Sequence, residues 1–164
     1  MLSADRLRKL LHYDPETGVF VRVVAGRGRS SRVGDVAGTR RADGYLRLCV
    51  GGNVYRSHRL AWLYMTGAWP ENEVDHINND PSDNRWSNLR AATRSQNEAN
   101  KRARLGKEIG LKGVYFHKQT QKWRARIEIC GKRESLGYFD CPAAAHLAYV
   151  IAAEMHFGEF ARAA

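Results

Sequence analysis

Residues 73–104 leave this chain few ways to fold. An apolar-flanked stretch, Glu73-Val74-Asp75-His76-Ile77-Asn78, is followed by a polar, turn-rich segment to Ser87 and then by a short apolar run, Leu89–Ala92. Thr93 follows, with Gln96 three residues on, the pattern in which an N-cap side chain and an N3 side chain satisfy each other's backbone N–H groups. Strand, loop, strand and capped helix in so short a span predict a hairpin with a helix packed across it. The helix is expected to run to about Arg104, exposing Arg94, Glu98, Lys101 and Arg102. Such a unit gathers the carboxylate of Asp75, the imidazole of His76 and the amides of Asn88 and Asn97. Those groups can hold one hard metal ion and activate one water, which is what hydrolysis of a phosphodiester needs.

Charge is segmented around this stretch. Residues 1–60 carry 12 Lys/Arg against 5 Asp/Glu, residues 61–100 carry 3 against 6, and residues 101–164 carry 12 against 6. Two basic arms flank an acidic centre. Basic arms suit phosphate neutralisation and an acidic centre suits a cation, so a polyanion partner is expected, nucleic acid before any other. The 164 residues suffice for one or two small domains with modest cores. Cys49, Cys130 and Cys141 are scattered, without the close spacing of a zinc site, which fits a reducing cytoplasm. Met1-Leu2-Ser3-Ala4-Asp5-Arg6 has no apolar core of a signal peptide, and no apolar run is long enough to span a bilayer, so no membrane partner is expected.

Elsewhere the pattern predicts a helix from a Ser3 cap through Leu11, with Leu7, Leu10 and Leu11 on one face, then a turn at Asp14–Gly18 and a strand over Val19–Val24. Residues 25–43 predict exposed loop with a short strand at Val33–Ala37. Tyr45–Val50 alternates, with Leu46, Leu48 and Val50 on one side. Gly51-Gly52-Asn53 turns it into Val54–Arg56 as a hairpin. A helix opening at Ser57 or His58 is expected to bury Leu60, Ala61, Leu63 and Tyr64 and to stop at Gly67. After a glycine-punctuated linker, strands are predicted at Gly113–His117, Trp123–Ile129 and Arg133–Phe139. A helix then begins near Pro142, with Ala144, Leu147, Ala148, Ile151, Ala152 and Met155 recurring at helical spacing, and Gly158 can end it.

Val74-Asp75-His76-Ile77-Asn78, Asp83-Asn84-Arg85-Trp86-Ser87-Asn88-Leu89-Arg90 and Ser95-Gln96-Asn97 together resemble the HNH endonuclease motif, the ββα-metal fold. His58-Arg59-Leu60-Ala61-Trp62 resembles the family's approach to that motif. The resemblance implies His76 as general base, Asp75 and Asn97 as ligands of a divalent cation (Mg²⁺, with Mn²⁺ as the substitute), and Asn88 as the amide that holds the loop aiming His76. It also implies duplex DNA as substrate, products with 5′-phosphate and 3′-hydroxyl ends, and a phage or mobile-element origin in a bacterial host. Asp80 and Asp83 are alternative ligands, though loop residues of this kind are usually solvated. His58 can approach the site, cap a helix or simply pack. Singly, each of these residues has an ordinary structural use; their order and spacing give the pattern its meaning.

Residues 113–160 resemble the apetala-two (ethylene-response-factor) DNA-binding domain through Gly113-Val114-Tyr115-Phe116, Lys122-Trp123-Arg124-Ala125-Arg126-Ile127, Leu136-Gly137-Tyr138-Phe139-Asp140 and the alanine-rich helix with Ala148-Tyr149. That resemblance implies a sheet facing the major groove, with Tyr115, His117, Lys118, Trp123, Arg124, Arg126 and Arg133 toward DNA. Trp123 also shares its strand face with Ile127 and Ile129, which is equally a core position. In the N-terminal part, Arg47 and Arg56 are expected to add phosphate contacts, and Arg27 and Arg29 lie in the basic loop.

The expected class is therefore α+β: N-terminal β-hairpins and a helix leading into a ββα-metal nuclease core, then a small antiparallel sheet packed on one helix. The expected parts are a basic region at 1–57, the nuclease core at 58–104, a linker at 105–112 and a DNA-binding domain at 113–164. One site per chain suits nicking by a monomer, or double-strand cleavage by a homodimer. A DNA-binding regulator with an idle nuclease fold is the alternative, and an RNA-binding or structural basic protein is a third.

Overall fold

The computed structural model describes residues 1–26, 31–101 and 109–162. Arg27, Arg29, Arg102, Arg104 and residues 105–108 of the linker lie outside the described residues. The chain forms two compact units, Met1–Ala91 and Ala92–Ala164.

The first unit starts with α1 (Ala4–Leu10), capped by Ser3, whose hydroxyl accepts from Arg6 N. Leu11 is the first residue of a strand, β1 (Leu11–Asp14), rather than the last of the helix. It pairs antiparallel with β2 (Val19–Arg22). The turn between them is held by Asp14, which accepts from Glu16 N at 2.9 Å and Thr17 Oγ1 at 2.8 Å. The expected Val33–Ala37 strand shortens to β3 (Val36–Ala37) on β2, with Val33 exposed. After β4 (Thr39–Arg40), β5 (Leu46–Val50) and β6 (Asn53–Arg56) form the expected hairpin. Its two central residues, Gly51 and Gly52, both have positive φ (61° and 87°), as a type I′ turn requires.

Helix α2 (Ser57–Thr66) buries Leu60, Ala61 and Leu63, leaves Tyr64 half-buried, and ends at Gly67 in the left-handed region. These residues join Leu7, Leu11, Tyr13, Phe20, Leu48 and Val50 in one core. Val74 and Leu89 attach β7 (Glu73–His76) and β8 (Leu89–Ala92), a two-stranded ribbon, to that core.

The second unit starts with α3 (Arg94–Asn100), whose capping box is complete: Thr93 Oγ1 accepts from Gln96 N and Gln96 Oε1 accepts from Thr93 N. It is shorter than expected; Lys101 is already extended. Strands β9 (Val114–His117), β10 (Lys122–Ile129) and β11 (Lys132–Phe139) form an antiparallel sheet with β10 in the centre. The β10–β11 register slips between Ala125 and Arg126, so Leu136 is the extra residue of a bulge.

Helix α4 (Pro142–Phe157) packs on this sheet with a different face from the one its apolar pattern suggests. Ala145, Tyr149, Ala153 and Phe157 are buried, whereas Leu147, Ile151 and Met155 are exposed. Apolar residues occur nearly all round this helix, so periodicity alone cannot choose a face. The small residues at 145 and 153 let the backbone approach the sheet, and the Tyr149 ring covers Gly113, where a Cβ would lie 2.1 Å from Tyr149 Cδ2.

Candidate active site

Strand β7 brings Asp75 and His76 into the first unit side by side, each only 5% exposed. Successive strand residues point to opposite faces, so the two groups leave the strand in different directions. Asp75 Oδ2 accepts from Arg90 Nε on β8 at 3.0 Å. Both partners of this ion pair are largely buried, so water screens it little.

His76 is enclosed by rings. The His58 ring lies 4.9 Å away edge-on, and the Tyr45 ring 5.9 Å away. Tyr45 also touches His58 at 5.4 Å, and the Arg56 guanidinium sits over the Tyr45 ring at 4.5 Å. Burial holds His76 below its ordinary value of 6.5, with the bond to Asn84 and the nearby carboxylates pulling the other way. The imidazole is therefore neutral near pH 7, as a proton acceptor must be. Burial, with His76 as the next cause, pushes His58 down to about 3. Its Nδ1 finds no hydrogen-bond partner among the described residues.

The loop between β7 and β8 is built from side chains. Asn88 Oδ1 accepts from Asn78 N at 3.0 Å, and its Nδ2 donates to Asn78 Oδ1 at 3.0 Å and to Asp83 O at 2.8 Å. Ile77 N donates to Asn88 O at 2.9 Å. Asp80 accepts from Ser82 N and Oγ, and those bonds lower its carboxyl. Asp83 binds Arg85 and Asn78, with the Arg85 bond holding it at about 2. The two alternative ligands are thus committed to the loop's own turns.

Asn84 was not singled out by the sequence. Only 1% exposed, it lies 3.3 Å from His76 Nε2 through its Oδ1. Its neighbour Tyr13 could not have been found from any motif either: it donates from its hydroxyl to Asn84 O at 2.6 Å, and burial pushes that phenol above its usual range, so it stays a donor.

Asn97 lies in α3, half-buried, in the second unit. Among the described residues no three His, Cys, Asp or Glu side chains gather as a metal cluster. A carboxylate and an amide oxygen are each, by their chemistry, ligands for a hard cation such as Mg²⁺ that keeps waters and takes phosphate oxygens, rather than for a zinc-type cage.

Arg47 and Arg56 are direct cross-strand partners on β5 and β6, and Arg47 is paired with Asp43 at 2.7 Å. In the second unit, Arg126 lies over Tyr115 at 4.7 Å and Arg124 over Tyr138 at 5.7 Å. Both tyrosines flank Arg124 in register across the sheet, and His117 touches Tyr138 at 5.1 Å. Lys118 sits exposed in the β9–β10 turn, and Arg133 pairs with Glu128 at 3.0 Å. Trp123 does not share this face. It packs on Phe116 at 5.0 Å and against the Val114, Ala125 and Ala145 cluster, because strand alternation assigns it to the side of buried Ala125. Tyr138 takes the exposed aromatic place instead.

Residues 55–99 match the HNH endonuclease family model. Over 108 residues the chain is 30% identical to Protein 3.8 of Escherichia phage T7, covering 65% of this chain and 88% of that protein. This chain belongs to the HNH endonuclease family. The match takes in α2, the β7–β8 ribbon and most of α3, so Asp75, His76, Asn88 and Asn97 all fall within the family region. It ends before the C-terminal sheet of this HNH chain. No solved structure matches it. No helix among the described residues is long and apolar enough to cross a membrane.

Proposed function

We propose that this chain is a metal-dependent endonuclease of duplex DNA, phage- or mobile-element-encoded and acting in the bacterial cytoplasm. The observation that carries the reading is the adjacent pair Asp75–His76, both buried on β7, beside a loop that Asn88 ties closed. His76 takes a proton from water, the water oxygen attacks phosphorus, and the bond to the 3′ oxygen breaks. The products carry a 5′-phosphate and a 3′-hydroxyl. Asp75 and Asn97 would hold a divalent cation, Mg²⁺ or Mn²⁺, which when bound stabilises charge on the phosphate and on the leaving oxygen. Asn88 keeps the loop in the shape that presents His76.

Residues 58–104 form the cutting core in this reading, between basic parts at 1–57 and 113–164 joined through 105–112. Arg47 and Arg56 hold phosphates near His76. The outer face of β9–β11, with Tyr115, His117, Lys118, Arg124, Arg126 and Arg133, contacts the duplex as an apetala-two-type sheet does. Trp123 supports that face from beneath. A monomer nicks; a homodimer cuts both strands.

The Asp75–Arg90 ion pair favours a second reading, a DNA-binding regulator in which Asp75 is a structural partner and the nuclease fold is idle. Incubating supercoiled plasmid with the protein and Mg²⁺ separates the two. The endonuclease gives open-circular or linear product that disappears with EDTA and with His76→Ala. A regulator binds the plasmid and leaves it supercoiled under every metal.

A further inference from the structure

The Asn84 side chain has only one arrangement that satisfies its surroundings. Its Nδ2 donates to Ser82 O at 3.0 Å, so Oδ1 is the atom turned to His76 Nε2 at 3.3 Å. The flipped amide would set Oδ1 against the Ser82 carbonyl, two acceptors face to face in a buried place. An amide oxygen can only accept. The neutral imidazole must therefore carry its proton on Nε2, leaving the lone pair on Nδ1.

The backbone beneath Asn84 is fixed from a distant part of the chain. Tyr13 donates to Asn84 O, Trp86 N donates to Pro15 O at 2.9 Å, and a Cβ at Gly18 would meet Asn84 C at 2.4 Å. The β1–β2 hairpin thus grips the loop at the residue that faces His76. We infer that Asn84 is a positioning residue, clamped by the β1–β2 hairpin, that fixes the His76 tautomer so that Nδ1 is the nitrogen that takes the proton. The N-terminal hairpin then belongs to the catalytic apparatus as well as to the basic surface. The chemical consequence rests on the endonuclease reading; the tautomer itself does not.

The test is the ring-nitrogen pattern of His76, from long-range ¹⁵N–¹H correlation spectra of the full chain without metal or DNA. At about pH 8 its imidazole is neutral. The His76→Ala spectrum identifies which of the six histidines is lost. The expected pattern is the Nε2–H tautomer in the wild type, retained in Asn84→Asp, which keeps an acceptor opposite Nε2, and displaced toward Nδ1–H in Asn84→Leu. A wild-type Nδ1–H tautomer overturns the inference, as does an unchanged tautomer in folded Asn84→Leu. In plasmid cleavage, Asn84→Leu should lower kcat about 100-fold, with KM for DNA within about twofold. Wild-type kcat in that variant also overturns it. Absence of cleavage by the wild type with the Nε2–H tautomer present counts against the endonuclease reading and leaves the clamp standing.

Discussion

The β7–β8 loop and the β9–β11 sheet are both rich in polar side chains, and they use them in opposite ways. In the loop, Asn78, Asp80, Asp83, Asn84 and Asn88 bind one another and the backbone. On the sheet, Arg124 and Arg126 lie over tyrosine rings that are exposed on one side. Polar groups locked against backbone fix geometry to a fraction of an ångström, as a reacting centre demands. Polar groups laid over aromatic rings stay available to a phosphate or a base edge. In the proposed endonuclease, chemistry falls to the first region and grip to the second.

The sharpest way to break that contrast is His76→Ala, expected to lower cleavage by about 10³-fold or more while duplex affinity stays within about twofold. A histidine pH effect comes next. The folded His58 value, about 3, lies below the unfolded 6.5, so the unfolded chain takes up the proton first. The stability due to neutral His58 is complete above 6.5 and is lost as pH falls toward about 3. The loss is on the order of 5 kcal/mol. His58→Phe should therefore flatten the acid limb of a denaturation series. An acid limb unchanged from wild type removes His58 from that role.

Gly18→Ala should destabilise the first unit by about 3 kcal/mol, because its φ of 73° is left-handed and the added methyl meets the Asn84 backbone. Chemical denaturation measures it, and a neutral effect would mean the hairpin does not grip the loop. Asn88→Ala removes three loop bonds and should cost about 2 kcal/mol together with most of the cleavage rate. A folded Asn88→Ala that cuts normally shows the loop needs no such tie. The double change Arg124→Ala with Arg126→Ala has the smallest expected effect: about tenfold weaker binding and a salt slope lower by about two, with cleavage of bound DNA unaltered. Unchanged affinity would take the sheet out of DNA binding.

Much of this was legible in the sequence. The Thr93–Gln96 box, the Gly51-Gly52 turn, the Gly67 stop and the β10 alternation depend on local chemistry, and local chemistry is what a sequence displays. The family motif points to Asp75, His76 and Asn88, and the fold sets these three on the β7–β8 ribbon and its loop. Asn84 stayed hidden because an asparagine in a polar loop looks like a turn residue until its burial is known. Tyr13 stayed hidden because its bond spans 71 residues. The buried face of α4 does not follow from the pattern, because the stronger apolar stripe, Leu147, Ile151 and Met155, lies outside and alanines lie inside. Close approach to a sheet rewards small side chains, which hydropathy undervalues.

In the proposed function His76 does the chemistry and the basic surfaces do the holding. The most direct test of that division measures, on one plasmid substrate with Mg²⁺, the single-turnover cleavage rate and the dissociation constant of wild type and His76→Ala side by side. The expected result is metal-dependent cutting by the wild type and, in the variant, a lost rate with an intact dissociation constant. A variant that still cuts, or one that loses binding in step with cutting, contradicts it.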